Sequence, residues 1–337
     1  MFIIKKRLIS IDIAKGITIL LVVFGHALQG VVDSNSLSLV SNNSSVYILK
    51  EIIYGFHMPA FFIISGLFLD SWLSKKLNRA LKQKLTRLVY PYFVWSLLTA
   101  CFMQVGSSYT NNSLGLKEFL LSPIVPFSQY WFLYVLFFFY LVTYMIHSLF
   151  RDKYKICLLI ISLLIFVINP IIPNVWIIDS FSKYLVYFSM GTFLLPYFKQ
   201  KQKEKKFKMI LVCIAFIVVN FVYVNLLWRD LKSATYYYYL VTAITGSLLI
   251  FEISSLIANT THFKRAKKNL ASLGENSMQI YVMHLIPLAG LRIVCEKILN
   301  ISNLWIIILV TFFLSMLLCI FASGILKKFN VQRIFFG

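Results

Sequence analysis

The sequence predicts an all-α membrane protein, a bundle of ten transmembrane helices with both termini on the cytoplasmic side. Three observations predict it. Of 337 residues, 59% are hydrophobic and only 13% are charged, which leaves a soluble domain too little polar surface to cover its core. The apolar residues come in runs of about 20, the length that crosses a hydrocarbon layer roughly 30 Å thick. Short basic clusters separate the runs, and 25 of the 33 lysines and arginines then fall on one side of the layer, as cytoplasmic loops require.

The predicted spans are 10–32, 47–70, 88–105, 127–149, 155–174, 180–198, 208–228, 236–258, 273–296 and 302–326. The clusters that orient them open with Lys5, Lys6 and Arg7, continue at 75–87, 151–155, 199–208 and 264–268, and close with Lys327, Lys328 and Arg333. The basic start could pass for a signal peptide, but no small-residue cleavage site follows and the run is long enough to stay in the membrane. Span six is short and carries Gly191 and Pro196. Span nine is diluted by Glu275, Asn276, Ser277, Gln279, His284 and Arg292, yet without it the terminal basic cluster would face outside. The whole chain, 1–337, reads as a single transmembrane domain. Loops 33–46 and 106–126 are expected outside, and each holds a glycosylation-type triplet, at Asn43 and Asn111.

The net charge of +21 would suit nucleic acid if it formed one patch. Its division into loop clusters makes topology the cause, and no nucleic acid is expected. The five cysteines stand singly inside apolar runs, so neither a disulfide framework nor a metal site is predicted.

Polar groups within the spans are the exception that points to function. An ionisable side chain in hydrocarbon costs roughly 2.5–3.5 kcal/mol, and such groups usually face the bundle interior. The candidates are Asp12, Lys15, His26, His57, Glu252 and His284. On the helical wheel Lys15 and His26 lie about 20° apart and Asp12 and His26 about 40°, so all three share one face of span one. His26 and His57, on antiparallel neighbours, both lie roughly 20–23 Å from the same boundary, deep enough to meet. Ser277, Tyr281 and His284 fall within about 60° of each other on span nine, a second polar stripe.

Five segments carry a family resemblance: IDIAKGITILLVVFGH (Ile11 to His26), FHMPAFFIISGLFL (Phe56 to Leu69), KLTRLVYPYFVW (Lys84 to Trp95), QYWFLYVLF (Gln129 to Phe137) and NSMQIYVMH (Asn276 to His284). In content and order they resemble the membrane acyltransferase-3 family, in its fucose 4-O-acetylase-like branch. The resemblance implies a ten-helix bundle in a bacterial plasma membrane. It also implies a cytoplasmic acyl-coenzyme A donor, acetyl-CoA in the first instance, and an essential histidine at His26. The acceptor it implies is a saccharide of O-antigen, capsule, exopolysaccharide or a related glycan. Lys15 stands where other members often have arginine, and Lys84 with Arg87 only partly matches their Arg-x-x-Arg.

On this reading Lys82, Lys84 and Arg87, with Lys15, hold the donor, since cations make charge-assisted hydrogen bonds to phosphate. His26 acts as general base on the acceptor hydroxyl, or forms an acyl-histidine. His57 orients the reacting groups or stabilises the oxyanion. Asp12, Trp131, Tyr134, Ser277, Tyr281 and His284 are the surrounding candidates, the two aromatics of span four as stacking surfaces. The basic 75–87 cluster would serve equally to bind anionic membrane lipids. A saccharide or ion transporter is the alternative from a different class, and a non-catalytic scaffold a third.

Overall fold

The computed structural model describes residues 8–34, 45–105, 115–171, 176–199, 206–261 and 264–337. The triplets at Asn43 and Asn111, the Lys5–Arg7 cluster, part of the 199–208 cluster and His262 lie outside them. No strand occurs among the described residues.

Helix α1 (Ile9–Val32) is the hub, packed against seven other helices. Ile11, Ile19, Val22, Val23, Leu28 and Val31 are buried around it. After it come α2 (Ser45–Tyr54), α3 (His57–Gly66) and the short α4 (Leu69–Leu73). Next, α5 (Leu77–Lys84) runs through a π-helical turn at Leu85–Val89 into α6 (Tyr90–Val105). The predicted third span therefore starts earlier than residue 88, and Lys82, Lys84 and Arg87 are helical rather than loop residues. A single-turn helix, α7 (Leu116–Leu120), precedes the hairpin of α8 (Trp131–Phe150) and α9 (Tyr154–Ile168).

Helix α10 (Trp176–Gly191) is only 16 residues long and is followed by α11 (Leu195–Lys199). It lies against α3, with Gly66 and Gly191 facing each other; a methyl group on either would strike the other helix's backbone. Helices α12 (Lys206–Trp228) and α13 (Lys232–Asn259) form the next hairpin. Glu252, buried on α13, pairs with Lys208 and accepts a hydrogen bond from the Tyr197 hydroxyl at 2.7 Å. Then α14 (Lys264–Glu275) meets α1 backbone to backbone through Gly16 and Gly274. The chain ends with α15 (Ser277–Met283), α16 (Leu285–Ile293), a π-helical turn at Val294–Ile298, α17 (Leu304–Lys328) and α18 (Gln332–Phe336).

Seven stretches among the described residues are long and apolar enough to cross a bilayer, and the bent pair Ser277–Met283 with Leu285–Ile298 makes an eighth. One of the seven, Ser128–Ile171, contains both α8 and α9. The predicted span six does not qualify, because α10 is shorter than the roughly 20 residues a bilayer needs.

Two predicted spans are broken, and proline explains both. A proline has no N–H and its ring crowds the carbonyl four residues earlier. Pro59 aims that penalty at Gly55, and the chain breaks at Gly55–Phe56, between α2 and α3. Pro287 aims it at Met283, and α15 bends by 43° into α16. Just past each break stands a histidine, His57 and His284. Phe56, displaced by the first break, packs into the space that Gly246 leaves on α13.

Candidate active site

Three imidazoles converge beside α1. His26 stacks on His284 with ring centroids 5.1 Å apart and planes 29° from parallel. His57 lies edge-on to His26 at 6.5 Å. Tyr54 completes the group, its hydroxyl 2.9 Å from His26 Nδ1 and its ring 4.8 Å from that of His57. His57 and His284 are buried, while His26 is half-buried.

The helix breaks fix two of the tautomers. His57 Nδ1 lies 2.7 Å from the Ile53 carbonyl, and His284 Nδ1 lies 2.6 Å from the Tyr281 carbonyl. A carbonyl only accepts, so both Nδ1 atoms carry the proton and both Nε2 atoms, in the neutral rings, hold a lone pair. The imidazoles thus satisfy backbone carbonyls near the helix breaks. No group of three or more metal-ligand side chains among the described residues is placed to hold a metal ion.

A basic cavity of about 430 Å³ opens on the side of this cluster nearer the start of α1. Lys15, Lys75, Lys84 and Arg87 line it, and no carboxylate among the described residues does. The π-helical turn carries Arg87 into the lining; such turns recur at functional positions. Lys84 Nζ sits 3.3 Å above the Tyr140 ring, Lys75 donates to Gln83 at 2.5 Å, and Lys15 lies over Phe68 at 5.0 Å. Four basic side chains without a lining acid give this cavity a positive field.

On the other side, towards the end of α1, a polar cavity of about 110 Å³ is lined by His26, Gln29, Asp33, Gln129 and Arg292. Gln29 donates to Asp33 at 2.5 Å. Arg292 is already paired, at 3.1 Å with Glu296, which also accepts from Ser34 at 2.9 Å. Beside Gln129, Ser128 holds a positive φ of 49°, a conformation rare outside glycine and asparagine. The two cavities share no lining residue. Tyr281 stands at the partition: its ring lines the basic cavity, and its hydroxyl donates to the carbonyl of Gln129.

A family model described as "Acyltransferase domain" matches residues 8–324. The chain belongs to this acyltransferase family. Among curated proteins it is similar to "Nodulation protein NolL" of Sinorhizobium fredii, 31% identical over 141 residues, covering 41% of this chain and 36% of that protein. It is also similar to "Nodulation protein NolL" of Mesorhizobium japonicum, 30% identical over 142 residues, 40% of this chain and 34% of the relative. The matched part is thus about a third of the length of these relatives. No solved structure matches the chain.

Within this acyltransferase domain the predicted residues divide into three groups. His26 and His57 come together as their matched depths suggest, and His284, related in the sequence only to Ser277 and Tyr281, joins them. Lys15, Lys84, Arg87, Ser277 and Tyr281 share the basic cavity. The rest stand apart. Lys82 is exposed and outside the cavity lining. Asp12 is buried, 4.0 Å from Lys15, and does not line the cavity. Trp131 packs against Tyr184 at 5.0 Å, and Tyr134 donates to the Pro123 carbonyl at 2.9 Å; neither lines either cavity.

Sequence reasoning missed Tyr54, Gln29, Asp33, Gln129 and Lys75. Two of these had a signal. Gln29 and Asp33 continue the His26 face at the third and seventh positions beyond it. Tyr54 is three residues before His57, but the break between them hides the helical relation.

Proposed function

We propose that the chain is a membrane O-acyltransferase that moves an acetyl group from acetyl-CoA to a hydroxyl of a cell-surface saccharide. The observation that carries this reading is a pair of unlike cavities along α1, a basic one lined by Lys15 and a polar one lined by His26 of the histidine cluster. The basic cavity suits the phosphates of coenzyme A, held by Lys84, Arg87, Lys75 and Lys15 through charge-assisted hydrogen bonds. The polar cavity, where Gln29 is paired with Asp33 and Arg292 with Glu296 behind the lining, suits the hydroxyls of an uncharged sugar.

His26 is the base. In the tautomer that donates Nδ1–H to the Tyr54 oxygen, Nε2 holds the lone pair that takes the proton from the acceptor hydroxyl. The oxygen then forms a bond to the acetyl carbonyl carbon, the carbon–sulfur bond of the thioester breaks, and the thiolate leaves and takes up a proton. His57, with its proton on Nδ1, accepts at Nε2; it orients a donor rather than stabilising the oxyanion. Tyr281 has to swing from Gln129 for the thioester to reach His26.

The reading includes ten crossings of a bacterial plasma membrane, with both termini cytoplasmic. Ten requires Ser128–Ile171 to cross twice and α10 to cross with its flanking residues. The positions of the basic clusters support this orientation.

The test is transfer of label from radiolabelled acetyl-CoA to surface glycan in membranes bearing the protein. Labelling that disappears in His26→Ala supports the reading; membranes that bind the donor yet never label glycan overturn it. The two broken helices favour a second reading, since transporters also build sites at discontinuous helices. Uptake of unmodified saccharide, unaffected by acetyl-CoA, would establish that one instead.

A further inference from the structure

A third cavity, of about 260 Å³, lies where α10, α12 and α13 meet. Lys183, Tyr223, Asp230, Lys232, Tyr236 and Tyr239 are in its lining. It is more than twice the volume of the polar cavity beside His26, and none of the sequence motifs covers it. Its position follows from the helix directions. Asp230 and Lys232 sit at the turn from α12 into α13. Tyr239, seven residues into α13, donates to the backbone carbonyl of Tyr54 at 3.1 Å, and Tyr54 touches His26. Since α13 descends from that turn to the level of His26, the cleft opens at the end of the bundle where α1 finishes. The polar cavity faces the same end, and the basic cavity lies towards the other.

Its chemistry is mixed in a specific way. Lys183 is half-buried on α10, and no carboxylate of the described residues pairs with it. Its ammonium lies 3.9 Å above the Tyr239 ring and 5.7 Å from that of Tyr184. Ring faces attract the charge but leave the three N–H donors to be satisfied by something in the cleft. Asp230 supplies an acceptor from a turn in which its own backbone has φ 50°, a conformation that aspartate tolerates better than most residues. Tyrosine hydroxyls add groups that both donate and accept. Two lysines, an aspartate and tyrosines around one opening present donors, acceptors and apolar ring surface together. A carbohydrate, with its hydroxyls and C–H faces, matches all three.

We infer that this cleft is a second saccharide subsite, holding sugars of the acceptor beyond the one whose hydroxyl reaches His26. The inference rests on the acceptor being a saccharide, as proposed above. Tyr54 stands between the subsites: its side chain contacts His26, and its carbonyl is held by Tyr239. The contacts of the cleft raise affinity for a longer acceptor without changing the chemical step.

The experiment uses surface glycan from cells lacking the protein, cut into single-repeat and several-repeat fractions, with radiolabelled acetyl-CoA as donor. The variants are Lys183→Met, which keeps the packing of the aliphatic stem, and Asp230→Asn, which keeps the turn. The expected result is an approximately tenfold rise in KM for the long fraction, with the short fraction, kcat and the KM for acetyl-CoA unchanged. Equal KM values for wild type and both variants on the long fraction overturn the inference, as does an equal loss on both fractions. Competition by inorganic phosphate without any dependence on acceptor length would make the cleft an anion site and overturn it as well. If the wild-type protein labels neither fraction, it is the acyltransfer reading that fails.

Discussion

The basic and polar cavities differ in charge and in size, although residues of the same helix, α1, line both. The first is lined by four cations and holds about four times the volume of the second. In the second, the cation is matched by Glu296 and the amide of Gln29 by Asp33. On the proposed reading this contrast sorts two substrates before any chemistry. A cationic lining that holds no acid favours a large polyanion, while a polar lining whose charged groups are already paired gives such a ligand little electrostatic gain and accepts a group that only exchanges hydrogen bonds. Tyr281 of the first lining is tied to Gln129 of the second by a hydrogen bond.

The largest expected effect lies where both meet. His26→Ala removes the proposed base, and transfer should fall by about 10²–10⁴-fold while donor binding persists. Equal transfer in this variant would end the idea that the compartments serve a shared base. Next comes the basic cavity. Replacing Lys84 and Arg87 together by methionine removes two charge-assisted contacts of roughly 1.5–3 kcal/mol each. The KM for acetyl-CoA should rise at least about tenfold with that for the acceptor unchanged; a parallel rise in both would dissolve the contrast.

The polar cavity should give a smaller and opposite pattern. Asp33→Asn weakens hydrogen bonding in the roughly 0.5–1.5 kcal/mol range, raising acceptor KM several-fold and leaving the donor term alone. Tyr281→Phe deletes one hydrogen bond of the partition. It should raise the ratio of free coenzyme A to acetylated glycan a few-fold, measured in a single reaction mixture; an unchanged ratio would mean that Gln129 does not hold the barrier. Lys82→Ala is expected to change neither KM, because that side chain points away from the cavity.

Several parts of this site were legible before any coordinates. Lys15 and His26 lie eleven residues apart on one continuous helix, so periodicity alone relates their faces. His57 was reachable through depth, since antiparallel helices of known rise put equal distances from a boundary at equal height. The stripe of Ser277, Tyr281 and His284 was read from an unbroken wheel and survives because the 43° bend falls at its last member. Lys84 lines the basic cavity and Lys82 does not: two positions apart on α5 they point to opposite sides of the helix, and the packing of α5 decides which of them faces inward.

That the chain is helical and membrane-embedded was readable from composition, because backbone hydrogen bonding in a bilayer must be satisfied within each segment. Its family was readable too, through five short motifs in a fixed order. Which cations gather without a lining acid, which tyrosine meets His26 and where the two spans break emerged from the packed bundle. Those outcomes depend on helix crossings, and on prolines whose effect is felt four residues earlier, where helices with no sequence relation come into contact.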